Sequence, residues 1–164
     1  YYTCIHSDIT RFLKSIKFAV KYLEKQKIDD IKFLDVGCGV GQKLYLVSEI
    51  FDIAADGIEL RKAYIDNFPY TSHISKVFHI NAFDFNKYHK YDIIYFYCPI
   101  RDYNKQKELE RLIANKAKSG ALIIGFDSHF FVKCVNGEYD LELKNLGIKP
   151  LNRNLEIWIK NKIC

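Results

Sequence analysis

At 164 residues, 49% hydrophobic and 15% aromatic, the chain is long enough and apolar enough to bury the core of one domain, which excludes a disordered segment. A formal charge of +5, spread without a dense Lys/Arg run, permits an anionic partner but reads first as a solvated surface rather than a nucleic-acid patch. Five cysteines with no C-x-x-C argue against a disulfide framework or zinc site, and no long apolar run or leader-like stretch is present, so a cytoplasmic protein with no metal and no membrane partner is expected.

The chain starts at Tyr1 and holds no methionine, as a trimmed chain would. Ser7 or Asp8 can cap a helix running to about residue 27. Its apolar positions Ile9, Phe12, Leu13, Ile16, Ala19, Val20 and Leu23 repeat at intervals of three and four. Residues 1–30 are expected to pack this helix on a sheet formed within 31–164, the whole being one domain. A strand at 31–36 then runs into Asp35-Val36-Gly37-Cys38-Gly39-Val40-Gly41-Gln42. Glycine serves where the backbone takes a positive φ, or where a ligand must approach with no Cβ in the way. The helix that follows, about 42–50, turns Leu44, Val47 and Ile50 or Phe51 inward. Its start presents free N–H groups and a positive dipole end, so strand, glycine loop and helix together handle a nucleotide. The dinucleotide fingerprint requires its third glycine where Gln42 stands, and no Lys-Ser or Lys-Thr follows to make a phosphate loop.

Strand two, about 53–59, ends in Gly57-Ile58-Glu59-Leu60. A helix over 61–68 is broken at Pro69. Strand three, about 76–80, leads into Asn81-Ala82-Phe83-Asp84, and strand four, 91–97, into Cys98-Pro99-Ile100-Arg101-Asp102. An amphipathic helix over 103–118 turns Leu109, Leu112, Ile113 and Ala117 inward and stops at Ser119-Gly120. Strand five, 121–126, exits through Asp127-Ser128-His129. Asp127 and His129 are candidates for acid/base work, against the plainer reading of a polar loop exit. The tail has short stretches at 132–135 and 139–143 about an Asn136-Gly137 turn, a loop over 147–154, and a last stretch over 155–160. There Leu155, Ile157 and Ile159 alternate with Glu156, Trp158 and Lys160, which suits a strand at a sheet edge.

Asp35-x-Gly37-x-Gly39-x-Gly41 resembles the first motif of class I S-adenosylmethionine (SAM) methyltransferases. The resemblance spans nearly the whole chain. It implies a Rossmann-like, doubly wound α/β fold with a mostly parallel seven-stranded sheet and an antiparallel C-terminal hairpin. It also implies SAM as cofactor. Asp35, Gly37, Cys38, Gly39 and Gly41 would meet the methionine part. Glu59, with Leu60, would meet the ribose, whose adjacent hydroxyls can both donate to one carboxylate. Asn81, Ala82 and Phe83 would meet the adenine. Asn81 stands where the family carries an acid, its side-chain carbonyl accepting from the adenine amine, and Asp84 is the alternative if the register shifts.

The acceptor should meet residues 97–101. Tyr97 could align or deprotonate it. Cys98 is either a catalytic thiolate or a small strand-end residue. The Asn/Asp-Pro-Pro-Tyr/Phe motif of amino-methylating enzymes is absent, and the Pro-Cys order of cytosine-5 methyltransferases is reversed. Gly39-Val40-Gly41-Gln42 and Gly57-Ile58-Glu59-Leu60 are distantly similar to the non-SET histone-lysine methyltransferases, without implying their specificity. The expectation is therefore a SAM-dependent methyltransferase with a protein or nucleic-acid acceptor rather than a small molecule, and a possible partner subunit closing its cleft. The alternatives are a catalytically inactive SAM-binding scaffold and a nicotinamide-dependent oxidoreductase, the latter opposed by the glycine spacing.

Overall fold

A computed structural model describes residues 8–67, 76–129 and 138–161. The Ser7 cap, the Pro69 break and the stretch and turn at 132–137 lie outside the described residues. The first helix, α1 (Ile9–Lys25), starts where Asp8 accepts the Arg11 N–H at 3.0 Å. One orphan N–H of the first turn is thereby satisfied. Phe12, Ile16, Ala19, Val20 and Leu23 form its buried stripe. Strand β1 (Lys32–Val36), helix α2 (Gln42–Phe51) and strand β2 (Ala54–Glu59) follow, then α3 (Lys62–Asp66) and β3 (Val77–His79). Strand β4 (Ile93–Tyr97), α4 (Tyr103–Lys116), β5 (Leu122–Phe126), α5 (Glu138–Asn145), β6 (Ile148–Asn152) and β7 (Ile157–Lys160) complete the order.

The seven strands form one sheet in the order β3-β2-β1-β4-β5-β7-β6. The pairings from β3 to β5 are parallel; β7 runs antiparallel to both β5 and β6. Near-continuous burial of β1, β4 and β5 reflects a sheet covered on both faces. On one face Phe12, Ile16 and Leu44 from α1 and α2 pack with Phe33, Ile93, Tyr95 and Ile124. On the other, Leu109, Ile113 and Ala114 of α4 pack with Leu34, Ile94, Phe96 and Ile123. Each such side chain contributes about 2 kcal/mol relative to leaving it in water.

Four features depart from the sequence reading. A single 3-10 turn, Tyr88–Lys90, precedes β4, and buries Tyr88 with its hydroxyl on the Ala82 carbonyl at 2.8 Å. Helix α4 stops at Lys116 because Ala117 turns to extended backbone; Gly120, at φ 86°, makes the turn into β5 rather than capping the helix. Residues 139–143 are helical, in α5, where Arg111 of α4 holds Glu142 in a two-pronged pair at 2.6 and 3.2 Å. The expected loop over 147–154 contains β6, and β6 is the edge strand, so β7 lies inside the sheet. Edge position is what lets β6 carry Pro150, which has no N–H to give a ladder. The alternation in β7 misled because all four of its residues are buried, Lys160 included. The Lys160 ammonium donates to the carbonyls of Ala114 and Leu146.

Candidate functional site

Strand β1 lies between β2 and β4, so the strand order reverses beside it. A crevice opens at such a reversal, beyond the carboxyl ends of the strands, because the flanking connections leave in opposite directions. The turn out of β1 fills this place. Gly37, Gly39 and Gly41 hold φ of 82°, 56° and 77°, which other residues adopt only at a cost. The Gly37 and Cys38 N–H groups donate to the Ile58 carbonyl at 2.8 and 3.0 Å. Glu59, 7% exposed, accepts the Gly39 N–H at 2.9 Å on one oxygen and the Arg61 N–H at 2.8 Å on the other. The carboxylate therefore clamps the glycine turn to the end of β2. A Cβ on Gly37 would stand 2.6 Å from Pro99 Cβ, so the turn after β4 rests directly on the glycine turn. The Cys38 side chain is buried in the core against Gly57, where burial pushes its thiol up. Gly57 entered the sequence reading only as part of the Gly57-Ile58-Glu59-Leu60 run; the fold needs it because a Cβ there would lie 2.6 Å from the Cys38 sulfur.

Asp35 is the unusual group. It is 2% exposed, its Oδ2 has no hydrogen-bond partner among the described residues, and burial pushes its pKa up to about 6. Lys43 of α2 opposes that rise and Glu59 adds to it. Across the ladder Asp35 stands opposite Gly57 on one side and Tyr95 on the other. Tyr95 is fully buried, and its hydroxyl too has no partner among the described residues.

The remaining expected residues line the same edge. Leu60 is 62% exposed beyond the end of β2, with its carbonyl 3.1 Å from His79 Nε2. Asn81 follows β3 and closes its own turn, its Oδ1 accepting the Phe83 N–H at 3.1 Å and its carbonyl the Asp84 N–H at 2.9 Å. Ala82 and Phe83 pack partly into the core on the α4 face. Asp84 is exposed.

At the ends of β4 and β5 the structure gathers a second set. Tyr97 is half-buried, its ring edge-on to Phe126 with centroids 6.4 Å apart, and burial with Asp127 nearby pushes its hydroxyl up. Cys98 takes a left-handed φ of 37°, with its sulfur 3.7 Å from both the Ile100 carbonyl and His129 Nε2. Burial, with Glu110 and Asp127 nearby, pushes its thiol up. Glu110 is fully buried on α4 and accepts from Gln106 at 2.7 Å, Ser128 Oγ at 2.5 Å and the His129 N–H at 3.0 Å. Gln106 in turn accepts the Ile100 N–H at 3.0 Å, so one buried network holds the turns after β4 and β5 together. The sequence reading overlooked it. The available signal was Gln106 and Glu110, four apart on the face that Leu109 and Ile113 bury. Arg11 and Glu156 were also overlooked. They pair at 3.0 Å, and Arg11 lies 4.4 Å over the Phe126 ring.

Over 73% of this chain and 47% of its own length, the plantazolicin methyltransferase BpumL, solved with a triazolic desmethylPZN analog and S-adenosylhomocysteine (SAH), matches at TM-score 0.58 and 22% identity. The fold is that of the class I SAM-dependent methyltransferases. A sugar N-methyltransferase, KedS8 from Streptoalloteichus, shares this methyltransferase fold at TM-score 0.53 and 18% identity over 76% of this chain and 55% of its own. An RNA methyltransferase from Salinibacter ruber, solved with SAH, does so at TM-score 0.52 and 13% identity over 68% and 76%. The chain thus spans about half the length of BpumL. No family model matches it, and no curated protein does. Among the described residues no helix is long and apolar enough to cross a membrane, and no three metal-ligating side chains gather. A cavity of about 240 Å³ lies at the opposite end of this methyltransferase fold, between Glu24, Asp29, Asp30 and Asp52, away from the glycine turn.

Proposed function

We propose that the chain, as one domain, binds SAM over the carboxyl ends of β1, β2 and β3 and presents its methyl group to an acceptor held at the ends of β4 and β5. The observation that carries this reading is Asp35, a buried carboxylate with one oxygen unpartnered beside a left-handed glycine turn. An unpartnered buried carboxylate is destabilising. A ligand ammonium on that oxygen removes the penalty, and the amino-acid part of SAM carries one. Glu59 keeps acceptor capacity after its two N–H bonds, since each oxygen has a second lone pair for a ribose hydroxyl. Asn81 likewise keeps a lone pair and its amide N–H groups for an adenine edge, with Ala82 and Phe83 beside it. Leu60 and the backbone of Gly37 to Gly41 complete the cradle.

SAM supplies, when bound, a methyl group on a sulfonium that a nucleophile can displace. The chain's own residues need only orient cofactor and acceptor and exclude water. Tyr97 is the acceptor-facing residue. Cys98, its thiol pushed up and turned toward His129, takes no nucleophilic part in this reading. A protein or nucleic-acid acceptor, met with or without a partner subunit, is the substrate reading. An inactive SAM-binding scaffold is the second reading, favoured by the absence of an Asn/Asp-Pro-Pro-Tyr/Phe motif at 97–101.

Calorimetry with SAH tests the proposal. Binding to the wild-type chain and its loss in Glu59→Ala support it. A chain whose melting temperature rises with NAD and not with SAH refutes it.

A further inference from the structure

Two depressions lie side by side along α1. One, of about 510 Å³, is lined by Leu13, Lys14 and Lys17 of α1 with Ile50 and Phe51 of α2. The other, of about 240 Å³, is lined by Glu24, Asp29, Asp30 and Asp52, and Phe51 forms part of both. Leu13 and Phe51 are half-buried and Ile50 is 53% exposed, so an apolar step is left open to water where the two meet. The charges around it are segregated. Asp30 pairs with Lys32 at 3.3 Å. Lys14, Lys17, Glu24, Asp29 and Asp52 are all exposed and form no ion pair among the described residues. Lys17 and Glu24 lie on one side of α1, about 10 Å apart along its axis, because the residues separating them make nearly two turns. Lys21, midway between them, is exposed and lines neither depression.

We propose that this face is where two copies of the chain dock. A two-fold axis beside Phe51 lays the basic half of each α1 along the acidic half of the other, antiparallel. Lys14 and Lys17 of one copy then meet Glu24, Asp29 and Asp52 of the second, and the reverse holds across the axis, as an isologous interface requires. Leu13, Ile50 and Phe51 of both copies close on one another at the centre and leave water. A partner of one sign would be attracted by one depression and repelled by the other. The occupant must carry both signs in reversed order around an apolar centre, and a second copy of this chain does. The net charge of +5 works against self-association, so it is the segregation of charge along α1 that favours it. Docking here leaves the candidate cofactor crevice open, since α2 starts at the glycine turn and reaches this face only with its last residues. The inference requires nothing of the cofactor reading.

Sedimentation velocity of the full chain over a concentration series tests this. The wild type should pass from monomer to dimer, with a dissociation constant that rises with salt as the charges are screened. Lys14→Glu with Lys17→Glu, and separately Glu24→Lys with Asp29→Lys, should each raise that constant about tenfold or more, because attractive pairs on both sides of the axis become repulsive. The two variants mixed should form a heterodimer of about wild-type affinity, since each meets the charge that it lost. Ile50→Asp should abolish the dimer, and added to both charge variants it should abolish the heterodimer, which separates docking through this face from bulk attraction between oppositely charged chains. All these residues are exposed, so every variant should keep the far-ultraviolet dichroism of the folded wild type. A wild-type chain that stays monomeric at every concentration overturns the inference, and so does a dimer indifferent to Ile50→Asp or to the charge reversals. A dimer that forms only once residues 1–7 are removed assigns the groove to that segment and overturns it equally.

Discussion

Replacing Asp35 by Asn should stabilise the ligand-free protein and abolish its affinity for SAH. In the fold the Asp35 carboxyl moves from 3.8 to about 6, chiefly through burial, with Glu59 of β2 adding to the rise and Lys43 of α2 opposing it. Its Oδ2 has no hydrogen bond to offset the loss of water. A displacement of that size is worth about 3 kcal/mol. Because the folded value is raised, the folded protein binds the proton more tightly than the unfolded chain. The Asp35 contribution is then fully present below pH 3.8 and is lost as pH rises through about 6. At neutral pH the ionised form therefore works against the apoprotein. Asparagine keeps the shape and removes the charge, though its buried amide returns about 1 kcal/mol of desolvation cost. The net gain expected at pH 8 is about 2 kcal/mol, or about 6 °C in melting temperature for a chain of this size. Urea unfolding of both proteins at pH 4, 5, 6, 7 and 8 checks this, since the gap should widen between about pH 4 and 6 and stay flat above about 7. A variant less stable than wild type at pH 8, or a gap that ignores pH, refutes the reasoning about Asp35. Retained SAH affinity in the variant separately removes Asp35 from the cofactor cradle.

Other outcomes follow from the same contacts. Glu59→Ala leaves the Gly39 and Arg61 N–H groups without their carboxylate, so urea unfolding should show a loss of about 2 kcal/mol alongside the loss of SAH binding. A variant with unchanged unfolding would mean that the clamp is solvated and idle. Gly37→Ala combines a left-handed backbone with a Cβ 2.6 Å from Pro99 Cβ and should cost about 2 kcal/mol or more. Pro99→Gly should recover the steric share, seen as coupling of about 1 kcal/mol in a double-mutant cycle, whereas additive effects would deny the contact. Glu110→Ala strips one buried acceptor from Gln106, Ser128 and the His129 N–H and should destabilise by about 3 kcal/mol, with Glu110→Gln milder. Amide exchange at Ile100 and His129 should quicken in both variants. Protection unchanged at those two positions would show that the network does not hold the turns.

Much of the fold is legible in the chain because its signals are local. The apolar stripe of α1, the strand running into Asp35 and the alternate glycines each depend on neighbours a few residues away, and the parallel strands follow at the spacing that crossover helices require. The tail was harder to read. Helix α5 and strand β6 are short, and β7 owes its burial to strands on both sides rather than to its own pattern. In the candidate site, the sequence alone marked Asp35, the glycine turn and Glu59 as one unit within 25 residues of chain. Tertiary structure decided what each does. It turned Cys38 into core, gave Gly37 to Pro99, and bound Glu59 to the turn it faces. It also brought Arg11, Tyr97, Asp127 and Glu156 to one rim from four separate elements, which no local pattern could disclose. Backbone conformation is written in neighbouring residues. The partner of a buried charge is chosen by whichever side chains the packed sheet brings within reach.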